Sequence, residues 1–252
     1  MKLWICVFGI SLLGQALTLE KERALGAGLA AEIRRGSKPF EDSIVNAYVR
    51  RVGERLAAFV PDGAFRFEVI VAEGSEPIGL PGGFIFVPAS FFLEAENEAE
   101  FAGMVAHAMG HVALRHGTVN AKVPRELTIP LVFMGGWMGV HADSQHRSSL
   151  IPAGFVEVIS GYELEADRFG ADLAGRAGYD SAALGSYIRR VQREGSPAAG
   201  LTPLPPKGER LAALETVGPR IGEVGGSEFL GVREIVRTAL RGPARKPPSL
   251  RR

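Results

Sequence analysis

His107 and His111 lie four residues apart in Val105-Ala106-His107-Ala108-Met109-Gly110-His111. On a helix that spacing puts both imidazoles on one face, one turn apart, where they can reach a single metal ion. In the hydrolytic form of this arrangement, H-E-x-x-H, the Glu is the general base. Here that position holds Ala108. The ligand pair is present and the base is missing.

A zinc site of the two-His-one-Glu type needs a third ligand from a separate element and an open position for water. Gly161-Tyr162-Glu163-Leu164-Glu165-Ala166-Asp167 offers one. Glu163 and Asp167 share a helix face, and Glu165 points elsewhere. Glu163 fits as the ligand. Asp167 would then hold a ligand imidazole in the right tautomer. Taken singly, the two acids read as a solvated helix face and the two histidines as a structural pair. Together they make a metal site the sharper expectation. No carboxylate in the sequence is an evident substitute for the base. Glu100 is two turns before His107, roughly 10 Å away, and Glu165 faces the wrong side of its helix.

The elements that must position these groups follow from capping and periodicity. Asn97 caps a central helix over 98–115, with Glu98 and Glu100 in its first turn and Gly117 ending it. A second long helix runs over 153–178. Further helices are expected over 19–35, from Asp42 or Ser43 to about Phe59, from Asp180 or Ser181 to about Glu194, from Glu209, and over 229–240. Phe65 to Val71 alternates as a strand does. Gly79 to Pro88 reads as a turn and a second strand. Its Gly82, Gly83, Phe84, Ile85 and Phe86 are the expected edge along which an extended peptide could add itself. The fold class is therefore mainly α with a small β-sheet (α+β). Residues 117–152 read as an insertion or lid, and its His141 and His146 as solvent-exposed.

Composition limits the function classes. The apolar fraction is 46%, the charged fraction 23% and the net charge +1, those of an ordinary globular protein and not of a nucleic-acid binder. Lys2, the apolar run Leu3 to Leu13 and Gly14-Gln15-Ala16 predict a signal peptide over 1–16, cleaved after Ala16, and a secreted or periplasmic chain. The single cysteine, Cys6, lies inside that run. The tail over 243–252 is basic, Pro-containing and expected to be disordered.

With these motifs in order, the chain resembles the HtpX-like and CAAX-prenyl-protease-type zinc metallopeptidases, family forty-eight of the metallopeptidases. The resemblance runs through Leu80-Pro81-Gly82-Gly83, Glu96-Asn97-Glu98-Ala99-Glu100, Arg115-His116 and Glu163-Leu164-Glu165-Ala166-Asp167-Arg168-Phe169-Gly170. It continues through Ala177-Gly178-Tyr179-Asp180 and Glu209-Arg210-Leu211-Ala212-Ala213-Leu214. It implies one zinc ion at His107, His111 and Glu163, a gluzincin-type domain over 19–218 and a role for Arg210 near the site. It also implies polypeptide substrates in the cell envelope, with peripheral membrane association open. Residues 219–252 would be a C-terminal helix and tail outside that domain. The chain departs from the pattern at Ala108, at Leu204 where the family has His, and in lacking the Ser-Arg before the Glu motif. The expected outcome is weak or absent hydrolysis. The alternative is a pseudopeptidase that binds extended or misfolded polypeptide as a chaperone or scaffold.

Overall fold

The computed structural model describes residues 18–72, 76–118, 153–192 and 204–241. The expected signal peptide, most of the 117–152 insertion with His141 and His146, and the basic tail lie outside the described residues. The order is α1 (Leu19–Gly36), β1 (Lys38–Pro39), α2 (Ser43–Ala57), β2 (Arg66–Val71), β3 (Ile78–Leu80), β4 (Phe84–Pro88), α3 (Phe91–Glu94) and α4 (Glu98–Ala113). Then follow α5 (Ala153–Arg176), α6 (Ala183–Val191), α7 (Lys207–Glu215) and α8 (Ser227–Arg241). This is the α+β class expected from the periodicity.

Helix starts follow the capping residues. Asp42 Oδ1 accepts from the Ile44 and Val45 amides at 2.9 and 3.0 Å, and Asn97 Oδ1 accepts from the Glu100 amide at 2.9 Å. Every α4 residue from Ala99 to Gly110 is buried. A helix apolar on all sides belongs in the middle of a domain, and α4 is packed by α2, α5, α6, β3 and β4.

The sheet has the order β1-β2-β4-β3, with β2 and β4 parallel and the other pairs antiparallel. It is covered on both faces. Phe84 and Phe86 of β4 join Ile70, Ile78 and Leu80 under Ala30 and Ile33 of α1. Ile85 and Val87 face the larger core with Tyr48, Phe92, Phe101 and Met104. This corrects the expectation for the peptide-binding edge. Phe84, Ile85 and Phe86 lie on an interior strand, paired on both sides. The physical reason was in the run itself: Phe84-Ile85-Phe86-Val87 has no polar alternation, the pattern of a strand buried on both faces. The strands at the two sheet margins are β1 and β3. Gly82 and Gly83, at φ +77° and +95°, make the left-handed turn that joins β3 to β4. That turn lies under α1, where a Cβ on Gly26 would strike the Pro81 carbonyl.

Helix α8 is not an appendage. Phe229, Val232 and Val236 enter the main core, and Phe229 packs against Tyr48, Phe92 and Phe101 with ring centroids 6.0 to 6.3 Å apart. Among the described residues, no helix is long and apolar enough to cross a membrane.

Candidate metal centre

Helices α4 and α5 make the most extensive helix–helix contact among the described residues, and small residues set how closely they approach. A Cβ on Gly170 would fall 2.8 Å from the His107 amide nitrogen, and one on Gly110 would touch Phe169 and Ala166. That close crossing brings the i, i+4 pair of α4 against the i, i+4 acids of α5. His107 Nε2 and His111 Nε2 are 3.2 Å apart. Glu163 reaches them with Oε2 at 3.4 Å and Oε1 at 3.5 Å. A tetrahedral zinc ion with bonds of about 2.0–2.1 Å separates neighbouring ligand atoms by roughly 3.3 Å. The three side chains are therefore spaced as the edges of such a site, and their donor set is the one zinc hydrolases use.

Each histidine is backed by a different chain of contacts. Behind His107, Asp167 Oδ1 lies 2.9 Å from Nδ1, at an angle too bent for a well-formed hydrogen bond. Asp167 is fully buried and is gripped by Arg210, whose Nε and Nη2 each donate at 2.7 Å. Arg210 in turn donates to Gln192 at 3.2 Å. Burial opposes charge on all of these groups, but their pairing outweighs it. Asp167 is held below the usual carboxylate range by Arg210, then by His107. Arg210 is pushed up by Asp167. His107 is raised to about 9 despite burial, because Asp167 and Glu163 favour its cation. Glu163 is held well below the usual range, with His111 the strongest opponent of its burial. A site so charged in the absence of metal exchanges a proton for a cation on loading.

Behind His111 stands His116. Helix α4 ends at Ala113, two residues earlier than expected, and the chain reverses through Arg115 at φ +59°. The Arg115 guanidinium is held by Glu22 of α1, with Nε donating at 2.8 Å. This reversal returns the His116 amide to the His111 carbonyl at 3.0 Å, a helix-closing bond. The His116 ring then meets His111, Nδ1 to Nδ1, at 3.1 Å, and its Nε2 lies 3.2 Å from Glu165. Its other face stacks on Tyr162. Burial and the nearby His111 depress the His116 pKa to about 3, so it is neutral. One tautomer set satisfies the chain: His116 Nε2 donates to Glu165, His111 Nδ1 donates to His116, and His111 Nε2 keeps its lone pair for a metal. Glu165 is thus off the ligand face, as expected from the helix, yet it is joined to the centre through His116.

Sequence reasoning passed over one further carboxylate. Glu76 sits in the Gly/Pro-rich connection just before β3 and is partly buried. Burial raises its carboxyl above the usual range, Arg210 and His107 pull it down, and Glu163 and Asp167 push it up. Arg210 and Asp167 belong to the line behind His107, and His107 and Glu163 to the candidate ligand set. Ala108, at the base position, is buried and carries no functional group. Of the other expected site residues, Arg210 lies behind Asp167 and away from the ligand atoms, while Gly82, Gly83, Phe84, Ile85 and Phe86 serve the sheet and its turn.

Residues 43–217 match the model of peptidase family M48. A Vibrio cholerae protein is 27% identical over 192 residues, covering 72% of this chain and 40% of its own length. Relatives named beta-barrel assembly-enhancing protease are found in Yersinia pestis, 24% identical over 197 residues, and in Escherichia coli strain K12, 22% identical over 190 residues. Each of these two matches covers 71% of this chain and 39% of the relative. The chain thus spans about two fifths of the length of the curated relatives it matches.

Proposed function

The chain belongs to peptidase family M48, and from that premise we propose that it is a zinc metalloendopeptidase-type domain of the cell envelope whose hydrolysis is slow. One zinc ion is held by His107, His111 and Glu163. The observation that carries this reading is the 3.2, 3.4 and 3.5 Å spacing of the three ligand atoms. When bound, the ion polarises a substrate carbonyl and acidifies water. The chain's own residues do the rest. Asp167 and His116 fix the ring orientations of His107 and His111, and Arg210 keeps Asp167 ionised inside the domain. Ala108 cannot take a proton. A positioned base is worth about 10² to 10⁴ in rate, or roughly 3 to 5 kcal/mol, so turnover falls by that order relative to a Glu-bearing site.

The substrate is polypeptide, laid along the sheet margin at β3. The names of the relatives, beta-barrel assembly-enhancing protease, support a client in β-barrel assembly. A secreted or periplasmic location rests on the expected signal peptide, and peripheral association with a membrane is compatible with it. Ala108 also favours a second reading, in which the domain binds extended or misfolded polypeptide without cleaving it, as a chaperone or scaffold.

The deciding experiment is metal content of the purified chain beside His107→Ala, with hydrolysis of labelled, denatured casein measured on both. One zinc per chain and slow hydrolysis, each lost in the variant, is the expected result. Zinc without any hydrolysis turns the reading to the binding domain. No zinc in the wild type overturns both the metal site and the peptidase reading.

A further inference from the structure

We propose that Glu22 of α1 is a positioning residue of the metal centre, acting on His111 through the Arg115 reversal and His116. The inference rests on the zinc reading above. It assigns to that site a residue ahead of the segment matched to the family, which begins at residue 43.

Glu22 stands out from its own helix. The buried face of α1 is Glu22, Gly26, Ala30 and Ile33, spaced as one helical stripe. An acid at the head of that stripe is the informative exception, because a carboxylate only 5% exposed must be paired. Close approaches fix its place. A Cβ on Gly26 would lie 1.7 Å from the Pro81 carbonyl oxygen, and one on Gly82 would lie 2.7 Å from Arg23 Cα. The first half of α1 is thus pressed on the β3–β4 turn, with Glu22 beside Arg115 and Thr118 at the end of α4.

These partners belong to one short segment. Glu22 Oε1 accepts from Arg115 Nε at 2.8 Å, from Arg115 Nη2 at 2.5 Å and from the Thr118 hydroxyl. The Thr118 amide closes on the Arg115 carbonyl at 2.8 Å. Between these anchors the chain turns through Arg115 at φ +59°. That conformation is unfavourable for an arginine and persists only where the surroundings fix it. His116 lies inside the anchored segment, with its Nδ1 3.1 Å from His111 Nδ1. On its far side it meets Glu165, whose side chain is 58% exposed and holds the ring weakly. Stacking on Tyr162 sets the plane of the ring, not its distance from His111. The anchored backbone therefore sets where the His116 ring stands, and with it the tautomer and aim of His111.

The test measures zinc affinity by chelator competition, the visible absorption of the cobalt(II)-loaded chain and the melting temperature of the metal-free chain. Wild type and four variants are compared. Glu22→Ala should bind zinc about 10-fold or more weakly and shift the cobalt bands, which report ligand geometry. Glu22→Gln keeps the volume and a neutral acceptor, so it should lose less, and it carries the test if the alanine variant does not fold. In Glu22→Ala/Arg115→Gly both metal readouts should return toward wild type, because glycine takes the left-handed turn without a tether. Ile33→Ala loosens α1 at the far end of the same stripe. It should lower the melting temperature and leave the zinc and cobalt readouts unchanged. Unchanged zinc affinity in the folded Glu22 variants overturns the assignment. So does the absence of recovery with Arg115→Gly. A loss of affinity in Ile33→Ala equal to that in Glu22→Ala also overturns it, by making α1 a general scaffold. A wild type that binds no zinc overturns the underlying reading, and this assignment with it.

Discussion

The two sides of this centre are built to different standards. On the ligand side each histidine has a support, and the supports have supports. His107 rests on Asp167, Asp167 on Arg210, and Arg210 on Gln192, in a line that is buried almost throughout. His111 rests on His116 and Glu165. At the position of the base there is only the methyl group of Ala108. Metal binding depends on fixing three lone pairs, and a crossing of two small-residue helices does that with great economy of chain. Proton transfer needs one titratable group that remains free to change its state. The difference teaches that holding a metal and using it are separable properties of the same few residues.

The strongest way to break the comparison is to remove a ligand. Glu163→Ala should abolish stoichiometric zinc, measured by metal analysis, and with it all hydrolysis. Retained zinc would mean that the ligand side is not where we put it. Next in size, Ala108→Glu should raise hydrolysis by about 10² to 10⁴. No gain in a folded, zinc-loaded variant would show that the missing base is not the main defect.

A smaller effect should follow from weakening a support. Asp167→Ala leaves Arg210 buried without its partner and His107 without its acceptor. Zinc affinity should fall by about 10- to 100-fold, and the metal-free chain should lose roughly 3 to 5 kcal/mol, as breaking a buried pair does. Denaturant unfolding of the stripped protein checks this, and an unchanged midpoint would remove the Arg210 line from the ligand side.

The mildest prediction concerns pH, in the chelator-treated chain. His107 has a folded pKa of about 9, above its ordinary value near 6.5. Its contribution to stability is full below pH 6.5 and is lost as pH rises toward 9. His116 runs the other way. Its folded pKa of about 3 lies below its ordinary value, so its contribution is present above pH 6.5 and is lost as pH falls. Thermal melts should therefore peak near neutrality and decline on both sides. A profile still rising at pH 9 would contradict the charge state assigned to His107.

Much of the ligand side was legible in the chain. His107 with His111, and Glu163 with Asp167, announce themselves because i, i+4 spacing is a local property of a helix. Asn97 marks where α4 starts, Asp42 where α2 starts, and the apolar run of α4 that it is central. Gly110 and Gly170 sit in the same motifs, although only the crossing shows what they are for. Less was legible where two distant segments meet. Gly82 to Phe86 read as an edge in the sequence, whereas the unbroken apolarity of Phe84 to Val87 is the sign of the interior strand that the sheet shows. Helix α8 was set apart from the domain, yet Phe229 belongs to its aromatic core. Glu165 was correctly placed off the ligand face, but nothing local shows that the reversal at Arg115 carries His116 into the gap between it and His111.

By itself, then, the sequence determined the candidate ligand residues that the fold brings together, the class of the fold and the missing base at Ala108, since each depends on residue types at short, periodic separations. Only the tertiary structure decided which strands lie at the margins and what stands behind each histidine. Gly79 has no periodic relation to Ala108, and His116 none to Glu165. β3 packs on α4 at Gly79 and Ala108, and the reversal at Arg115 brings His116 to Glu165, contacts set by shape and burial that no spacing rule encodes.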